Sequence, residues 1–161
     1  MSKQHYEAST YKAQRSVGYL IKRANSLMLS VLEPMLETRG FTYLQFVILV
    51  WLRDGIAVNP KDICLKYRHD SGALTRVIDQ MADRGLLERV RSNRDRRTVD
   101  LQLTAAGRKA IEGLVPLVVE QLNLALEDFS SAEFEELLRL LGKLNDRVQS
   151  VIDAGNAGIT A

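Results

Sequence analysis

Apolar side chains recur at steps of three and four residues between Thr10 and Thr38, and this spacing predicts one long amphipathic helix over that range. We expect Pro34 to bend the last turns of this helix and Gly40 to end it. The predicted apolar stripe consists of Val17, Leu20, Ile21, Ala24, Leu27, Met28, Val31, Leu32 and Met35.

Two shorter helices are predicted after this long one. Thr42 is followed three residues later by Gln45, which is a capping-box pattern, and the apolar positions beyond it predict a helix that stops at Gly55. Asn59 followed by Pro60 predicts the start of a third helix, because proline is favoured at the first helical position. One face of the third helix carries Ile63, Cys64 and Tyr67.

The fourth predicted helix has two faces of different character. It begins at Asp70 or Ser71, both of which are good N-caps, and it ends at Gly85. The apolar face carries Leu74, Val77, Ile78 and Met81. The opposite face carries residues that are mostly short or able to form hydrogen bonds, namely Ser71, Gly72, Thr75, Arg76 and Asp79.

A hairpin is predicted directly after the fourth helix. The segment LLERVR is short and ends in charge, and TVDLQL alternates apolar and polar positions. The polar turn SNRDRR separates them, so we predict a two-stranded hairpin with several arginines at its tip.

Two long helices are predicted for the rest of the chain. Thr104 caps the fifth, which reaches about Phe129 with a bend at Pro116. Ser130 and Glu133 form a second capping-box pattern and open the sixth helix. Its broad apolar stripe consists of Leu137, Leu138, Leu141, Leu144, Val148 and Val151.

The composition is used to exclude membrane-spanning, secreted and zinc-binding classes of protein. With 46% hydrophobic and 26% charged residues, the chain has the balance of an ordinary soluble globular protein. It has no apolar run long enough to span a membrane, and its first residues lack the apolar centre of a secretory signal, so we expect a cytoplasmic protein. Cys64 is the single cysteine, and with His5 and His69 it forms no zinc-binding pattern, so we expect no cofactor.

The charges are unevenly distributed. Residues 61–103 carry ten basic and seven acidic side chains, whereas residues 104–161 carry five basic and nine acidic ones. This asymmetry indicates a surface for a polyanion in the central part of the chain.

The order of the central elements is that of a winged helix-turn-helix: a short helix, a turn, a second helix with a small-residue outer face, and a basic hairpin. A helix enters the DNA major groove only if its outer face permits close approach and offers groups that bond base edges. The predicted DNA-contacting residues on this helix are Ser71, Gly72, Ala73, Thr75 and Arg76. Arg76 is suited to a guanine edge or a phosphate.

The predicted hairpin tip provides further cations. We expect Arg94, Arg96 and Arg97 to follow the DNA backbone or to reach the adjacent minor groove, whose negative potential attracts arginine. We expect Asp95 to pair with a neighbouring arginine, Arg89 or Arg97, and so to fix the shape of the hairpin.

Other interpretations of these features are open. A helix face rich in serine, glycine and threonine is often only solvated, and an arginine-rich turn is often only exposed. The fold also suits a protein-interaction adaptor that does not bind DNA. Enzymatic function is not expected, because the sequence has no nucleophile-base pair, metal set or phosphate-binding glycine loop at a recognisable spacing.

The run from Asp70 to Gly107 resembles the recognition helix, wing and following helix start of the MarR family of transcriptional regulators. It contains GLxxR at Gly85–Arg89, DRR at Asp95–Arg97 and LTxxG at Leu103–Gly107, and the similarity extends back through GFTYLQFVIL. The resemblance implies a homodimer on a pseudo-palindromic operator of double-stranded DNA. It also implies a repressor, often released by a small aromatic acid bound between the DNA-binding lobe and the dimerisation helices.

The predicted domain organisation follows from the elements and the resemblance together. Residues 41–103 form the winged helix-turn-helix domain, residues 1–40 and 104–153 form a helical dimerisation region, and residues 154–161 form a flexible tail. The fold class is mainly α with a small β-hairpin wing. The helical ends carry more apolar surface than the centre can cover, so we expect them to pack on each other and on a second copy of the chain.

Effector binding is predicted only in outline. A carboxylate ligand needs a cation and an aromatic wall, and Tyr19, Arg23 and Tyr43 are the candidates. Alternatively, Arg23 forms an ion pair and the two tyrosines are edges of the core. One branch of the family senses peroxides through a cysteine early in the first helix, but Gly18 occupies that place here, and Cys64 is expected to be a small buried thiol.

Overall fold

The computed structural model describes residues 4–67, 71–92 and 98–159. Within these ranges the chain forms helices joined to one two-stranded antiparallel sheet, which confirms the predicted mainly α fold with a β-hairpin wing. The helices are α1 (Val17–Glu37), α2 (Tyr43–Arg53), α3 (Pro60–Tyr67), α4 (Ser71–Asp83), α5 (Ala105–Ala125) and α6 (Ser131–Ile159), and the strands are β1 (Leu87–Arg91) and β2 (Val99–Leu103).

Helix α1 begins later than the sequence predicted. Residues Ala13–Arg15 form a separate 3-10 turn, and the backbone at Ser16 is extended. The Ser16 hydroxyl accepts a hydrogen bond from the amide of Tyr19 (3.2 Å), and the Tyr6 hydroxyl accepts one from the amide of Val17 (2.9 Å). The predicted start at Thr10 was wrong, because the serine caps the helix and the apolar periodicity begins only at Val17.

The predicted starts of α2 and α3 are confirmed. The Thr42 hydroxyl accepts from the amide of Gln45 (3.2 Å), and the Gln45 side chain accepts from the amide of Thr42 (3.1 Å), so both halves of the capping box form. The Asn59 side chain accepts from the amide of Asp62 (2.9 Å) at the start of α3, directly before Pro60.

Helices α1, α2 and α4 all end in the same way, at a glycine with positive φ. In each case the amide that follows the glycine donates to a carbonyl five residues earlier, which is the Schellman closure. The glycines are Gly40, Gly55 and Gly85, and the three hydrogen bonds are Phe41 to Leu36 (3.1 Å), Ile56 to Trp51 (2.9 Å) and Leu86 to Met81 (3.0 Å).

The core lies in the first of two compact units, Met1–Gln121 and Leu122–Ala161. Helix α4 contributes Leu74, Ile78 and Met81 to it, while Val77 is half-buried, so the predicted apolar face of this helix is confirmed. The largest fully buried side chains are Leu36, Ile48, Leu49, Ile63, Leu74, Ile78, Met81 and Leu87.

Strands β1 and β2 pair in the register Leu87 opposite Leu103 through Arg91 opposite Val99, which confirms the hairpin. Leu87 and Leu101 face the core, and the amide of Leu101 donates to the carbonyl of Val58 (2.8 Å). The hairpin is therefore anchored to the segment between α2 and α3.

The LTxxG motif joins the hairpin to α5. The Thr104 hydroxyl accepts from the amide of Gly107 (3.1 Å) and donates to the carbonyl of Gly85 (2.6 Å), while the Thr104 amide donates to the carbonyl of Leu86 (3.2 Å). A Cβ atom at position 107 would overlap the Leu86 carbonyl oxygen. Only glycine permits this close approach of backbone to backbone.

The ends of the last two helices differ from the predicted ones. Helix α5 stops at Ala125 rather than near Phe129, because the amides of Leu126 and Phe129 form tighter turns with carbonyls three residues earlier. The Ser130 and Glu133 capping box is confirmed, and hydrogen bonds from Ser130 lower the pKa of Glu133. Helix α6 continues to Ile159, through most of the segment predicted as a tail. Among the described residues, none of the helices combines the length and apolarity that crossing a bilayer requires.

Candidate nucleic-acid interface

The outer face of α4 carries small or hydrogen-bonding side chains on a helix whose other face is buried. Ser71, Gly72, Thr75 and Arg76 are exposed, and Ala73 is half-buried. The structure therefore brings together on one helix all five of the α4 residues predicted to contact DNA. Apart from Arg76, these side chains are small, which matches what close approach to a major groove requires.

Arg76 lies one helical turn after Gly72. Residues four apart on a helix share a face, and a glycine at the earlier position leaves the space beside the arginine open. The Thr75 hydroxyl donates to the carbonyl of Ser71 (2.8 Å), so its oxygen retains lone pairs for an incoming donor such as an adenine or cytosine amino group. The face thus offers a strong donor at Arg76 and an acceptor at Thr75.

An ion pair connects α4 to the hairpin. Arg89 of β1 donates from Nη2 to Oδ1 of Asp79 at 2.6 Å, and both side chains are almost half exposed. An exposed pair of this kind contributes little to stability, but it shows that β1 lies directly beside α4. Sequence reasoning placed Asp79 on the outer face but missed this pairing, which becomes visible only when the hairpin is docked on the helix.

The predicted hairpin tip lies outside the described residues. This applies to Arg94, Asp95, Arg96 and Arg97, and also to His69 before α4, so the predicted pairing of Asp95 stays a prediction. The described part of the hairpin is extended towards the tip by a hydrogen bond from the amide of Ser92 to the carbonyl of Thr98 (3.1 Å). Arg91, directly before Ser92, is exposed.

The three predicted effector residues lie on two helices, α1 and α2. Tyr19 is 39% exposed on α1, and Arg23 is exposed one turn later. Burial raises the pKa of Tyr43, and the negative charge of Glu33 adds to the rise. Tyr19 and Arg23 share one exposed face of α1, because residues four apart on a helix lie on the same side. Tyr43 is the first residue of α2, so a site that combines all three residues stays a prediction.

Cys64 is half-buried rather than fully buried. It lines a groove of about 280 Å³ formed by α3 and the start of α4, together with Leu65, Leu74 and Thr75. The expectation of a thiol on the inner face of α3 is thus met in position but not in full burial.

Comparison with known proteins gives a consistent picture. The model of the MarR family matches residues 41–99. The multiple antibiotic resistance protein MarR of Escherichia coli is 30% identical over 129 residues, which cover 80% of this chain and 90% of that protein. The transcriptional repressor YetL of Bacillus subtilis is 24% identical over 73% of this chain and 72% of its own length.

Solved structures agree in fold and in sequence. BpsR of Bordetella bronchiseptica, whose DNA binding is regulated by 6-hydroxynicotinic acid, has a TM-score of 0.72 and 29% identity over 84% of this chain and 97% of its own. A mutant form of E. coli MarR in complex with operator DNA has a TM-score of 0.68 and 28% identity over 80% of this chain and 92% of its own. On these similarities and the winged helix-turn-helix geometry, the chain belongs to the MarR family.

Proposed function

We propose that this chain is a dimeric, sequence-specific DNA-binding transcriptional regulator, and that it is a repressor released by a small effector resembling an aromatic acid. The proposal is supported above all by the exposed, small-residue outer face of α4, which includes Arg76, and by the hairpin beside it, which the Asp79–Arg89 pair connects to α4. Family relatives are described as repressors, and one family structure contains operator DNA.

The proposal assigns DNA binding and dimerisation to different segments of the chain. Residues 41–103 bind DNA, and residues 1–40 and 104–153 form the dimerisation region. Large apolar side chains are exposed along one stripe of α1: Val17, Leu20, Ile21, Leu27, Met28 and Val31. A soluble monomer rarely exposes a continuous apolar stripe of this length, so a second copy of the chain is the expected cover. Each of the two copies places its α4, which we call the reading helix, against one half-site of a pseudo-palindromic operator.

Two other interpretations are less well supported. A protein-interaction adaptor with the same fold predicts an uncharged or acidic outer face on α4, whereas this face carries an exposed arginine. The sequence has no recognisable catalytic constellation, and regulation by DNA binding needs neither an enzyme site nor a cofactor. A regulator of this kind acts where the chromosome is, which for the bacterial relatives is the cytoplasm.

Selection of duplexes tests the proposal directly. We expect the purified protein to enrich a symmetric sequence from a pool of random duplexes of roughly 30 base pairs, which is long enough for two half-sites. Binding to the enriched duplex should weaken steeply with salt, by about 0.9 log units per log unit of salt for each phosphate neutralised. Absence of enrichment together with a flat salt profile would favour the adaptor.

The effector prediction is tested on α1. Titration calorimetry with a panel of aromatic carboxylates should show binding that Arg23→Ala weakens by roughly tenfold to a hundredfold, because a charge-assisted hydrogen bond contributes roughly 1.5–3 kcal/mol. Lys22→Ala, which removes the adjacent exposed cation, should leave the affinity unchanged. Equal affinities for wild type and Arg23→Ala would remove Arg23 from the site.

A further inference from the structure

The turn that ends α4 contacts the ends of three other helices. Arg84 directly follows the last residue of α4, Gly85 then reverses the chain, and the amide of Arg84 donates to the carbonyl of Gln80 (3.1 Å). The turn Arg84–Leu86, which we call the joint, lies at the carboxyl end of the helix, opposite the end that carries Ser71 and Gly72. Contacts at the joint therefore act on the carboxyl end of α4 and lie away from its outer face.

Arg84 connects the joint to α1 and α2. Its guanidinium carbon lies 4.6 Å from the centre of the Phe41 ring, which is a cation–π geometry. Phe41 is the residue whose amide closes the end of α1. The Nη1 atom of Arg84 also donates to the side-chain oxygen of Gln45 at 3.3 Å.

The Gln45 side chain is a fixed acceptor for this arginine. It is only 6% exposed, and the same oxygen accepts from the amide of Thr42 in the capping box of α2. An acceptor that is buried and already held by the backbone loses little conformational entropy when a second donor binds. Arg84 therefore meets a preformed site at the start of α2.

Backbone contacts connect the joint to α5. The carbonyl of Gly85 accepts from the Thr104 hydroxyl, the carbonyl of Leu86 accepts from the Thr104 amide, and Gly107 packs directly on Leu86. The α5 side is rigid, because it consists of backbone bonds and close packing. On the α1 and α2 side, the contacts of the joint described above come from one flexible side chain, Arg84.

We propose that Arg84 is a positioning residue that transmits the orientation of α1 to the reading helix α4. The proposal rests on the proposed function, since it concerns how the two α4 helices of a dimer are oriented relative to DNA. Helix α1 carries the exposed apolar stripe and the candidate effector residues Tyr19 and Arg23, so the proposal is that dimerisation or effector binding there changes the orientation of α1. The cation–π contact and the hydrogen bond to Gln45 pass that shift to the end of α4.

Operator binding by Arg84 variants tests this role. We expect Arg84→Met to weaken binding to the enriched duplex about fivefold, with no change in the salt slope, because the arginine acts through α4 and not on a phosphate. Arg84→Lys, which keeps a cation over the ring, should recover part of the loss. Arg53→Met is the control, because Arg53 is an exposed arginine that pairs with Asp54 at the far end of α2.

A double-mutant cycle separates coupling from simple destabilisation. Phe41→Leu should weaken binding as Arg84→Met does, and the double variant should be no weaker than either single one, because both changes break the same contact. Three results would each overturn the proposal: unchanged affinity of folded Arg84→Met, a salt slope reduced by about 0.9, which indicates a direct phosphate contact, or fully additive losses.

Hydrogen exchange on the free protein provides a test that needs no DNA. In Arg84→Met we expect faster exchange of the Phe41 amide and of amides in both α4 and the first turn of α2, because these segments lose their common connection. If amide exchange is faster only in residues next to position 84, Arg84 does not couple the helices. If wild type enriches no duplex, the proposed function fails, whereas the exchange result still decides whether Arg84 couples the helices.

Discussion

Replacement of Arg76 by alanine is expected to weaken binding to the enriched duplex about tenfold to a hundredfold while leaving the melting temperature unchanged. A guanidinium that bonds a guanine edge contributes roughly 1–3 kcal/mol of discrimination, and Arg76 is exposed on the outer face of α4, where its removal leaves the core intact. Arg76→Lys distinguishes base from phosphate contact, because lysine keeps the charge but lacks the planar fork. A mobility shift on all three proteins measures the effect.

The control for Arg76→Ala is Lys22→Ala, which removes an exposed cation from α1 and should leave operator affinity unchanged.

The combined change of Arg94, Arg96 and Arg97 to alanine should weaken binding to all duplexes alike and lower the salt slope, because these residues are predicted to follow the DNA backbone. Unchanged operator affinity in both Arg76→Ala and the triple variant would show that the groove and wing assignments are wrong.

The second large effect is on stability. Gly107→Ala should lower the free energy of unfolding by about 2–3 kcal/mol, because the added Cβ overlaps the Leu86 carbonyl and forces apart the junction of α4 and α5. Urea unfolding at one fixed protein concentration measures it, since a dimer's stability depends on concentration.

Gly113→Ala is the matched control in the same helix. Gly113 is exposed with no atom within 4 Å of the added Cβ, so alanine should stabilise the protein by about 0.5–1 kcal/mol through helix propensity alone. Similar changes in the two variants would mean that position 107 is an ordinary helical glycine and that the LTxxG motif has another role.

The sequence predicted the ends of the helices correctly where a capping motif or a terminating glycine is present. The Thr42 and Ser130 capping boxes, the Asn59–Pro60 start and the glycine stops all involve residues within a few positions of one another, so the sequence contains the whole interaction. The start of α1 was wrong because apolar periodicity says where a helix is favourable but not which polar residue caps it. In the structure, Ser16 is the residue that caps α1.

Interactions between distant segments were the ones that the sequence did not reveal. The Asp79–Arg89 pair and the contact of Arg84 with Phe41 each depend on how α4 docks on its neighbours, and no local pattern encodes that docking. The outer face of α4 was predictable because it follows from helical periodicity alone. The three effector candidates stay a prediction, because a pocket combines residues from several elements, and here Tyr19 and Arg23 lie on α1 whereas Tyr43 lies on α2.

Footprinting of the enriched duplex tests the dimeric reading of DNA most directly. Two copies of α4 related by two-fold symmetry should protect two half-sites whose centres are one helical turn, about 34 Å, apart on the duplex. Arg76→Ala should remove both protected regions together. A single protected half-site, or protection that does not depend on the sequence of the duplex, would contradict the proposed dimeric regulator.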